Sequence, residues 1–446
     1  MKKIKKMLAL GLVFCMFASL VGCGNNNGAE PDNSTQVVEE NSNDGATSGE
    51  KTKITWWVWA TADIANQMAN AAFEANPELA EKYEIEAVLV PDMVPKFRME
   101  LATGGVMPDI VMFPAEALPE FAYDDILTDV SDIVAPYKDK LTSGAYSLVT
   151  CRDKQWAFPY QVKPSVWTYR SDIFNEVGID VTKVKTADDF IAAGKQLQAV
   201  YPESYMWAFN SSQMSADLLV HIMSGNGGSF FDENGNYIFD KDPGVRAALE
   251  DIKKIYDSGI VYDVVVDSTD HQQGYANGTI VSDLTGTWIK NNLKNWSPDL
   301  VGIWEETLWP ELGGAAPGGM GGSMFVIPAN AKNPEAAKEI LSALSLTVDG
   351  NLNAYKERSI YPPLREAVEN DLIKEPHPYM GASLYTAEAQ ATENFRTFNY
   401  SPKYSSEMEI VIPYVAKYLQ GQATLDEILV DANNDLIVQL GNAFDD

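Results

Sequence analysis

The chain has 446 residues, with 33 basic and 63 acidic side chains, and its formal net charge is −30. A surface this acidic repels nucleic acids and anionic lipid headgroups, which excludes both as expected partners. Apolar residues make up 46% of the chain, as in ordinary globular proteins. Because the length exceeds what one hydrophobic core usually serves, two domains or lobes are predicted.

The N-terminus is typical of an exported protein. Four lysines within the first six residues precede an apolar run over residues 7–21, which is shorter than the roughly 20 residues of a membrane-spanning helix. The run ends in Leu20-Val21-Gly22-Cys23, which resembles the lipobox of bacterial lipoproteins. Residues 1–22 are therefore predicted to be a signal peptide, and Cys23 is predicted to carry the lipid. An ordinary signal peptide with a chance cysteine is the alternative.

The segment that follows has a different composition. Residues 24–50 are rich in Asn, Ser, Asp, Glu and Gly and contain almost no large apolar side chain. Such a segment cannot bury enough surface to offset the entropy lost on ordering. Residues 23–50 are therefore predicted to be the lipid anchor and a flexible tether that holds the folded part off the membrane. With Cys15 removed and Cys23 lipidated, Cys151 is alone and no internal disulfide is expected.

Strands and helices alternate at the start of the folded part. Strands are predicted at residues 54–59, 85–90 and 109–113, with a helix capped by Thr61 after the first and a helix beginning near Pro95 after the second. This order predicts a parallel sheet with right-handed crossovers. Ligands of such sheets bind beyond the carboxyl ends of the strands.

The second half shows similar local signals. Thr186 with Asp189 predicts a capping box before an apolar helix, and Asn333-Pro334 predicts the start of another helix. Residues 232–236 lie between two aromatic runs and predict a hairpin turn. A calcium loop is the alternative for these five residues, although the glycine is misplaced for an EF-hand.

Signatures of catalysis and of cofactor or metal binding are lacking. The three histidines, at positions 221, 271 and 377, do not have metal-ligand spacing. Cys151 has no neighbouring histidine to activate it, and the glycine-rich segment 313–322 lacks the Lys-Ser/Thr of a phosphate loop. No metal, cofactor or catalytic residue is therefore predicted. Carboxylates are so frequent that counting alone does not exclude a glycosidase pair.

Aromatic residues are the main candidates for ligand contact. The face of an aromatic ring packs against the apolar C–H face of a sugar ring, whose hydroxyls then reach polar side chains. Trp56 and Trp57 lie within the first predicted strand and are expected in the core. Trp59 and Trp288 lie at the ends of predicted elements and are expected to contact ligand; a core position is the alternative for each.

Several short motifs occur in a characteristic order. They are Ile54 to Trp57, Phe73 to Pro77, Leu101 to Gly105, Pro108 to Val111, Trp156 to Pro159, Tyr169 to Phe174, Gly178-Ile179, Gly227 to Asp232, Thr285 to Trp288 and Gly321 to Pro328. In order and spacing, residues 51–440 resemble the extracellular solute-binding proteins (family 1) of carbohydrate ABC importers, the maltose-binding-protein superfamily. The resemblance implies an α/β, two-lobed periplasmic-binding-protein-like fold of type II. Each lobe would be a central β-sheet flanked by helices, with the ligand in the cleft.

The resemblance also implies a division of the chain. Residues 51–158 plus about 315–355 would form the N-terminal lobe, and residues 159–314 plus about 356–446 the C-terminal lobe, with crossings near Phe158 and Gly314. The chain departs from the malto-oligosaccharide members after the third strand. They carry Trp then Asp there, whereas this chain has Phe113-Pro114-Ala115-Glu116, which argues against a glucan ligand.

Ligand contacts are carried over residue by residue from the same resemblance. They are Trp59, Thr61, Phe113 and Glu116 on the first lobe, Phe209, Asn210 and Trp288 on the second, the backbone around Gly321, Gly322 and Ser323, and an aromatic from the C-terminal helices, Tyr400 or Tyr404.

The predicted function is that of a monomeric, lipid-anchored receptor on the extracellular face of the cytoplasmic membrane. It would capture a sugar, expected to be an oligosaccharide, and deliver it to the permease subunits of an ABC transporter without covalent chemistry. A lipid-anchored glycoside hydrolase is one alternative. A receptor of the same fold for a polyol, phosphodiester or peptide is another. The acidic candidates and the scarcity of basic residues near them argue against an anionic ligand.

Overall fold

The computed structural model describes residues 51–213 and 216–444. The predicted signal peptide, Cys23 and the tether lie outside the described residues. Among the helices of the described part, none is both long enough and apolar enough to cross a membrane.

The described residues contain twelve strands. These are β1 (Thr52–Val58), β2 (Tyr83–Leu89), β3 (Ile110–Pro114), β4 (Thr150–Cys151), β5 (Lys154–Gln155), β6 (Phe158–Val162), β7 (Ser165–Arg170), β8 (Trp207–Phe209), β9 (Val261–Asp263), β10 (Ser282–Gly286), β11 (Trp304–Thr307) and β12 (Gly322–Val326).

Helices account for most of the remaining regular structure. They are α1 (Asp63–Ala75), α2 (Pro77–Lys82), α3 (Met93–Thr103), α4 (Leu118–Tyr123), α5 (Ser131–Val134), α6 (Ser143–Leu148), α7 (Ser171–Val177), α8 (Ala187–Val200), α9 (Ala216–Asn226), α10 (Pro243–Asp257), α11 (Thr269–Asn277), α12 (Ile289–Trp296), α13 (Pro334–Ser345), α14 (Val348–Arg358), α15 (Arg365–Val368), α16 (Asp371–Lys374), α17 (Tyr385–Glu393), α18 (Tyr404–Leu419) and α19 (Leu425–Leu440).

The larger sheet has the strand order β2-β1-β3-β12-β6. β1 pairs in parallel with β2 and β3, as predicted from the alternation of strands and helices. β12 pairs antiparallel with both β3 and β6. The carboxyl ends of β1, β3 and β6 therefore meet the amino end of β12 at one edge of the sheet, and the chain leaves the sheet there after Val162.

The smaller sheet has β7 at its centre, with β10 and β11 antiparallel on either side. β8 and β9 form a separate parallel pair. Helix α8 begins at the predicted capping box, in which Thr186 and Asp189 each accept a backbone N–H of the other. Its apolar face, which includes Phe190 and Leu197, is buried in the core below β7.

Two large apolar cores, accompanied among the described residues by two smaller apolar clusters, divide the molecule into two lobes, which confirms the predicted architecture. The first core draws on residues 54–162 and 324–367 together with Phe395; this set defines the N-terminal lobe. The second draws on residues 167–312 and 398–443 and defines the C-terminal lobe. β6 and residues 360–367 belong to the first core, a few residues beyond the predicted limits, and the boundaries themselves stay predictions.

Most predicted elements are present within one to three residues of the expected ends. The hairpin turn at 232–236 is confirmed by an antiparallel bridge between Phe231 and Tyr237 and by the Asp232 N–H, which donates to the Asn236 carbonyl. The prediction that Thr61 caps α1 is borne out only in part: the Thr61 hydroxyl accepts the N–H of Asp63, the first residue of α1, at 3.4 Å, but Thr61 is not the N-cap residue. Ala62 is the N-cap residue and provides no side-chain cap, because a tight turn, in which the Thr61 N–H donates to the Trp59 carbonyl, precedes the helix.

Candidate functional site

A cavity of about 570 Å³ lies between the two lobes. Trp59, Met112, Gln161 and Ser323 line it from the carboxyl edge of the larger sheet. The opposite wall is formed by the C-terminal lobe, chiefly by residues of β10, α11 and α12. The volume and position fit a small-molecule cleft between domains, at the strand ends where the sequence predicts it.

The turn after β1 shapes the N-terminal wall. Ala60 lines the cavity and has a φ of 66°, a left-handed conformation that costs a non-glycine residue about 1 kcal/mol or more. The turn places the half-buried ring of Trp59 at the cavity while Trp56 stays fully buried in the core. Strain at such a position is typical of a site in which side-chain direction matters more than local stability.

Trp288 stands at the junction of β10 and α12 and is half-buried. A Cβ atom on Gly286 would lie 1.9 Å from Cζ3 of the indole, so the ring packs directly on the backbone of β10. The Lys163 ammonium lies 5.3 Å from the ring centroid. The packing on Gly286 and the nearby Lys163 ammonium both restrict the orientation of the indole, as a platform for a ligand ring requires.

Helix α12 continues the C-terminal wall. Asn291 and Asn292 lie one turn beyond Trp288, and Trp296 lies two turns beyond it, so that all four line the cavity. The two amides offer both donors and acceptors, and the second indole adds an apolar surface. This helix face therefore combines the two chemistries that a polyhydroxylated ring needs.

A buried polar cluster lines the same wall beyond α12. The Tyr275 hydroxyl donates to the Asp283 carboxylate and lies 3.5 Å from His271 Nε2. Burial raises the pKa of Asp283 to about 7, although the hydrogen bond from Tyr275 acts in the opposite direction. Burial also lowers the pKa of His271. Both shifts favour uncharged forms near neutral pH.

A second group of ionisable residues lies beneath α12. Lys290 and Glu388 form a fully buried ion pair, and both carboxylate oxygens of Glu306 are buried without a hydrogen-bond partner among the described residues. Burial raises the pKa of Glu306 to about 8, and the charge of Glu388 adds to this. The ion pair fixes α12, and hence Trp288, to α17.

Four of the predicted contact residues line the cavity: Trp59, Phe209, Trp288 and Ser323. The others do not. Thr61 belongs to the turn before α1, and Asn210 accepts from the backbone N–H groups of Ser212 and Gln213.

The remaining predicted contacts lie in the core or near its edge. Phe113 is fully buried against Phe97 and Phe121, because the alternation of β3 directs its neighbour Met112 to the cavity instead. Tyr404 packs in the second core beside Tyr400, Gly322 is enclosed by Leu148 and Gln161, and Glu116 is half-buried in a short turn. Their roles in binding stay predictions.

The prediction from sequence missed several cavity residues. Asn291, Asn292 and Trp296 carried a usable signal, because they recur at helical spacing after Trp288. No sequence pattern indicated Lys163, Arg358 or Asp283, because each reaches the cavity from a different part of the chain. The presence of Lys163 and Arg358 also shows that the predicted scarcity of basic residues at the site is wrong. Among the described residues, no group of three or more His, Cys, Asp or Glu side chains is placed to hold a metal ion.

Two curated relatives cover most of the chain. An arabinooligosaccharide-binding protein of Halalkalibacterium halodurans is 23% identical over 383 residues, covering 80% of this chain and 82% of the relative. A protein of the same name from Bacillus subtilis is 25% identical over 390 residues, covering 84% of each.

Solved structures share the fold. The ABC-transporter-associated binding protein of B. animalis subsp. lactis, in complex with β-1,6-galactobiose, superposes with a TM-score of 0.73 at 23% identity, covering 89% of this chain and 100% of that one. The galacto-N-biose/lacto-N-biose I-binding protein of Bifidobacterium longum gives a TM-score of 0.72 at 19% identity, covering 89% and 100%. At these identities the likeness establishes the two-lobed fold. The family profile described as bacterial extracellular solute-binding protein matches residues 67–380, more than half of the chain, and the chain therefore belongs to the bacterial extracellular solute-binding protein family.

Proposed function

We propose that this protein captures an oligosaccharide in the cleft between its lobes and delivers it to the permease of an ABC transporter. The observation that carries the proposal is the wall formed by Trp288 and α12. A half-exposed, fixed indole is followed by Asn291 and Asn292 at the same cavity. A sugar ring has an apolar face for the indole and hydroxyls for the amides.

The relatives support this assignment. Two are named as arabinooligosaccharide-binding proteins, and two of the structures that share the fold are complexes with disaccharides. The length of the cavity wall along α12, about 12 Å by helical rise, suits more than one sugar ring.

The test is a calorimetric screen of residues 51–446 against neutral and acidic oligosaccharides, with monosaccharides, polyols and short peptides as comparison ligands. Micromolar or tighter binding of at least one oligosaccharide is expected. Binding of a polyol or peptide in preference to every oligosaccharide would contradict the proposal. Incubation with the bound sugar should yield no cleavage product. Turnover would instead support a glycoside hydrolase that uses carboxylates of this cleft.

The same proposal places the protein on the extracellular face of the cytoplasmic membrane, held by lipid on Cys23. The order of features in residues 1–23 supports this location: lysines come first, an apolar run follows, and Cys23 ends it. Cys23→Ser should abolish labelling by a radioactive or clickable fatty acid and release the protein into the medium. Cys151→Ser is the matched control, because it removes a half-buried thiol and should leave labelling intact. Equal labelling of Cys23→Ser and wild type would contradict the anchor.

A further inference from the structure

Two cations face the cleft without a carboxylate partner. Lys163 follows β6 where the chain passes between the lobes, and its ammonium lies over Trp288. Arg358 ends α14, and its guanidinium donates to Gln67 Oε1 at 2.9 Å. Over residues 51–213 and 216–444, neither cation forms a salt bridge.

Both cations are near the same end of α12. The Asn291 side-chain amide donates to the Arg358 carbonyl at 3.0 Å, and the Asn291 backbone N–H donates to the Trp288 carbonyl at 3.0 Å. The backbone of Arg358 is therefore adjacent to the first turn of α12, and Arg358 lines the same cavity as Trp288 and Lys163. The macrodipole of α12 adds a field of the same sign, because its first residue lines the cavity.

The acidic residues of the cavity lie toward the other end of α12. Asp267 and Asp283 are the carboxylates that line it. Asp283 is bound by Tyr275, whose ring packs against Trp296 at 5.4 Å. The rise of α12 places Trp296 about 12 Å from Trp288. The basic side chains of the cleft thus lie near Trp288, and its two carboxyl groups lie near Trp296.

This arrangement is unexpected in a chain with 63 acidic and 33 basic side chains. Closure of the lobes would remove water from Lys163 and Arg358, and an uncompensated cation loses solvation free energy on burial. A ligand that brings one negative charge to this end would compensate them. The planar guanidinium matches a carboxylate in two-point geometry, and the ammonium adds a point charge.

We propose that the ligand is an acidic oligosaccharide, whose uronate carboxylate binds between Lys163 and Arg358 while a sugar ring packs beside Trp288. The inference rests on the proposed sugar-binding function and narrows its ligand class. The opposite end of the cleft, with Asn292, Gln272 and Trp296, binds the neutral part of the oligosaccharide.

The first experiment uses a glycan array in which each uronate-bearing oligosaccharide is paired with its carboxyl-reduced counterpart. The two members of a pair differ only in one group, which is a carboxylate in the uronate and CH₂OH in the reduced counterpart. Within each pair that binds, we expect the affinity for the uronate to exceed that for its reduced counterpart by about tenfold or more. Rising ionic strength should reduce this affinity ratio, because the contact is ionic.

Each result has a separate meaning. Equal binding of the two members, or preference for the reduced one, overturns the acidic ligand and leaves the sugar receptor intact. Binding of no oligosaccharide overturns both proposals. A sugar-phosphate arm distinguishes the anion: preference for a sugar phosphate over the matching uronate contradicts a carboxylate site.

The second experiment measures the affinity ratio within the best pair for two variants. Lys163→Met removes the charge above Trp288 and keeps much of the side-chain volume, so the ratio should fall toward one. Lys154→Met is the matched control, because Lys154 also lies over a tryptophan, 5.1 Å from the ring of Trp156, outside the cleft. Its ratio should equal that of the wild type. An unchanged ratio in folded Lys163→Met, as judged by circular dichroism, would refute the role of Lys163.

Discussion

The N-terminal lobe meets the cleft with strand ends that emerge from an apolar core, whereas the C-terminal lobe meets it with a helix that covers buried charges. In the first lobe, the buried carboxylate of Asp109 accepts hydrogen bonds from Thr55 N and from Asn333. In the second, Glu306 is buried with no hydrogen-bond partner among the described residues, and Asp283 is buried with a raised pKa.

The difference lies in how the buried carboxyl groups of the two lobes are stabilised. A buried carboxylate with full backbone partners ties elements together at small cost, while one that must become protonated opposes folding. The C-terminal lobe tolerates such groups at the cavity wall and near Lys290 of α12. The C-terminal lobe thus carries buried carboxyl groups that oppose folding at neutral pH, whereas Asp109 of the N-terminal lobe has hydrogen-bond partners.

The largest effect should come from the buried ion pair of the C-terminal lobe. Lys290→Ala leaves Glu388 as an uncompensated buried charge beside Glu306, which should reduce the free energy of unfolding by about 3–5 kcal/mol. Lys96→Ala is the matched control in the N-terminal lobe, because Lys96 pairs with Glu100 at the surface of α3 and should cost less than about 1 kcal/mol. Urea unfolding measures both, and equal losses would remove the contrast between the lobes.

The next effect concerns the platform. Trp288→Ala should weaken oligosaccharide binding by about 2–4 kcal/mol, a loss of roughly 30- to 1000-fold. Trp59→Ala, on the opposite wall, should weaken it less, because Trp59 also packs against the first core. Calorimetry gives the affinities, and melting of each variant without ligand is the control. A collapsed melting temperature of Trp288→Ala with normal affinity in the folded fraction would identify Trp288 as a core residue.

A smaller effect is expected from the glycine under the platform. Gly286→Ala places a methyl group 1.9 Å from the indole, which should cost about 1–3 kcal/mol of stability through overpacking and should turn the ring away from its binding orientation. In the double variant with Trp288→Ala the collision is absent, so the stability cost of Gly286→Ala should largely vanish. Additive costs in this cycle would contradict direct packing of the ring on Gly286.

The pH dependence of stability should differ in sign between the lobes. The folded-state pKa of Asp283 is raised to about 7, so the folded protein retains a proton that the unfolded chain loses near pH 4. Stability should therefore fall as pH rises from about 4 to 7, by at most about 1.4 kcal/mol per pH unit for this proton, and then level off. Asp283→Asn should lack this component, as measured by urea unfolding across pH 4–8.

Asp129 of the N-terminal lobe provides the opposite case. Partial burial raises its pKa, but hydrogen bonds from Ser131 and Lys154 outweigh this and lower it overall. Its contribution to stability should be present above the unfolded pKa of about 4 and be lost as pH falls further. At neutral pH, Asp129→Asn should therefore lose the contribution of the ionised Asp129 carboxylate to the free energy of unfolding. Asp283→Asn should keep that contribution. The same slope in both variants would contradict the assignment.

The smallest signal should come from closure of the lobes. Ligand that contacts both walls binds the closed state better and shifts the population toward it. Small-angle scattering of residues 51–446 should therefore show a smaller radius of gyration with the cognate oligosaccharide. An unchanged radius at saturation would mean that the two walls do not move together on binding.

Much of the local structure could be predicted from the sequence. The strands that contain Trp56 and Ile110 follow from the periodicity of their apolar residues. The capping box at Thr186 follows from hydrogen bonds between near neighbours, and the turn at Gly235 from a residue that accepts a φ above zero. These interactions act over a few residues. The order of the motifs also indicated two lobes and a cleft at the carboxyl ends of the strands, because parallel strand–helix units leave few other arrangements.

The chemistry of the cleft was decided by the tertiary structure. Whether Phe113 or Met112 faces the cavity depends on the register of β3 with β12, a pairing across more than 200 residues that local pattern does not encode. Lys163 and Arg358 lie near one end of α12 for the same reason, since β6, α12 and α14 are distant along the chain. Sequence alone therefore determined the elements and their order, while charge and specificity in the cleft arose only where long-range packing brought those elements together.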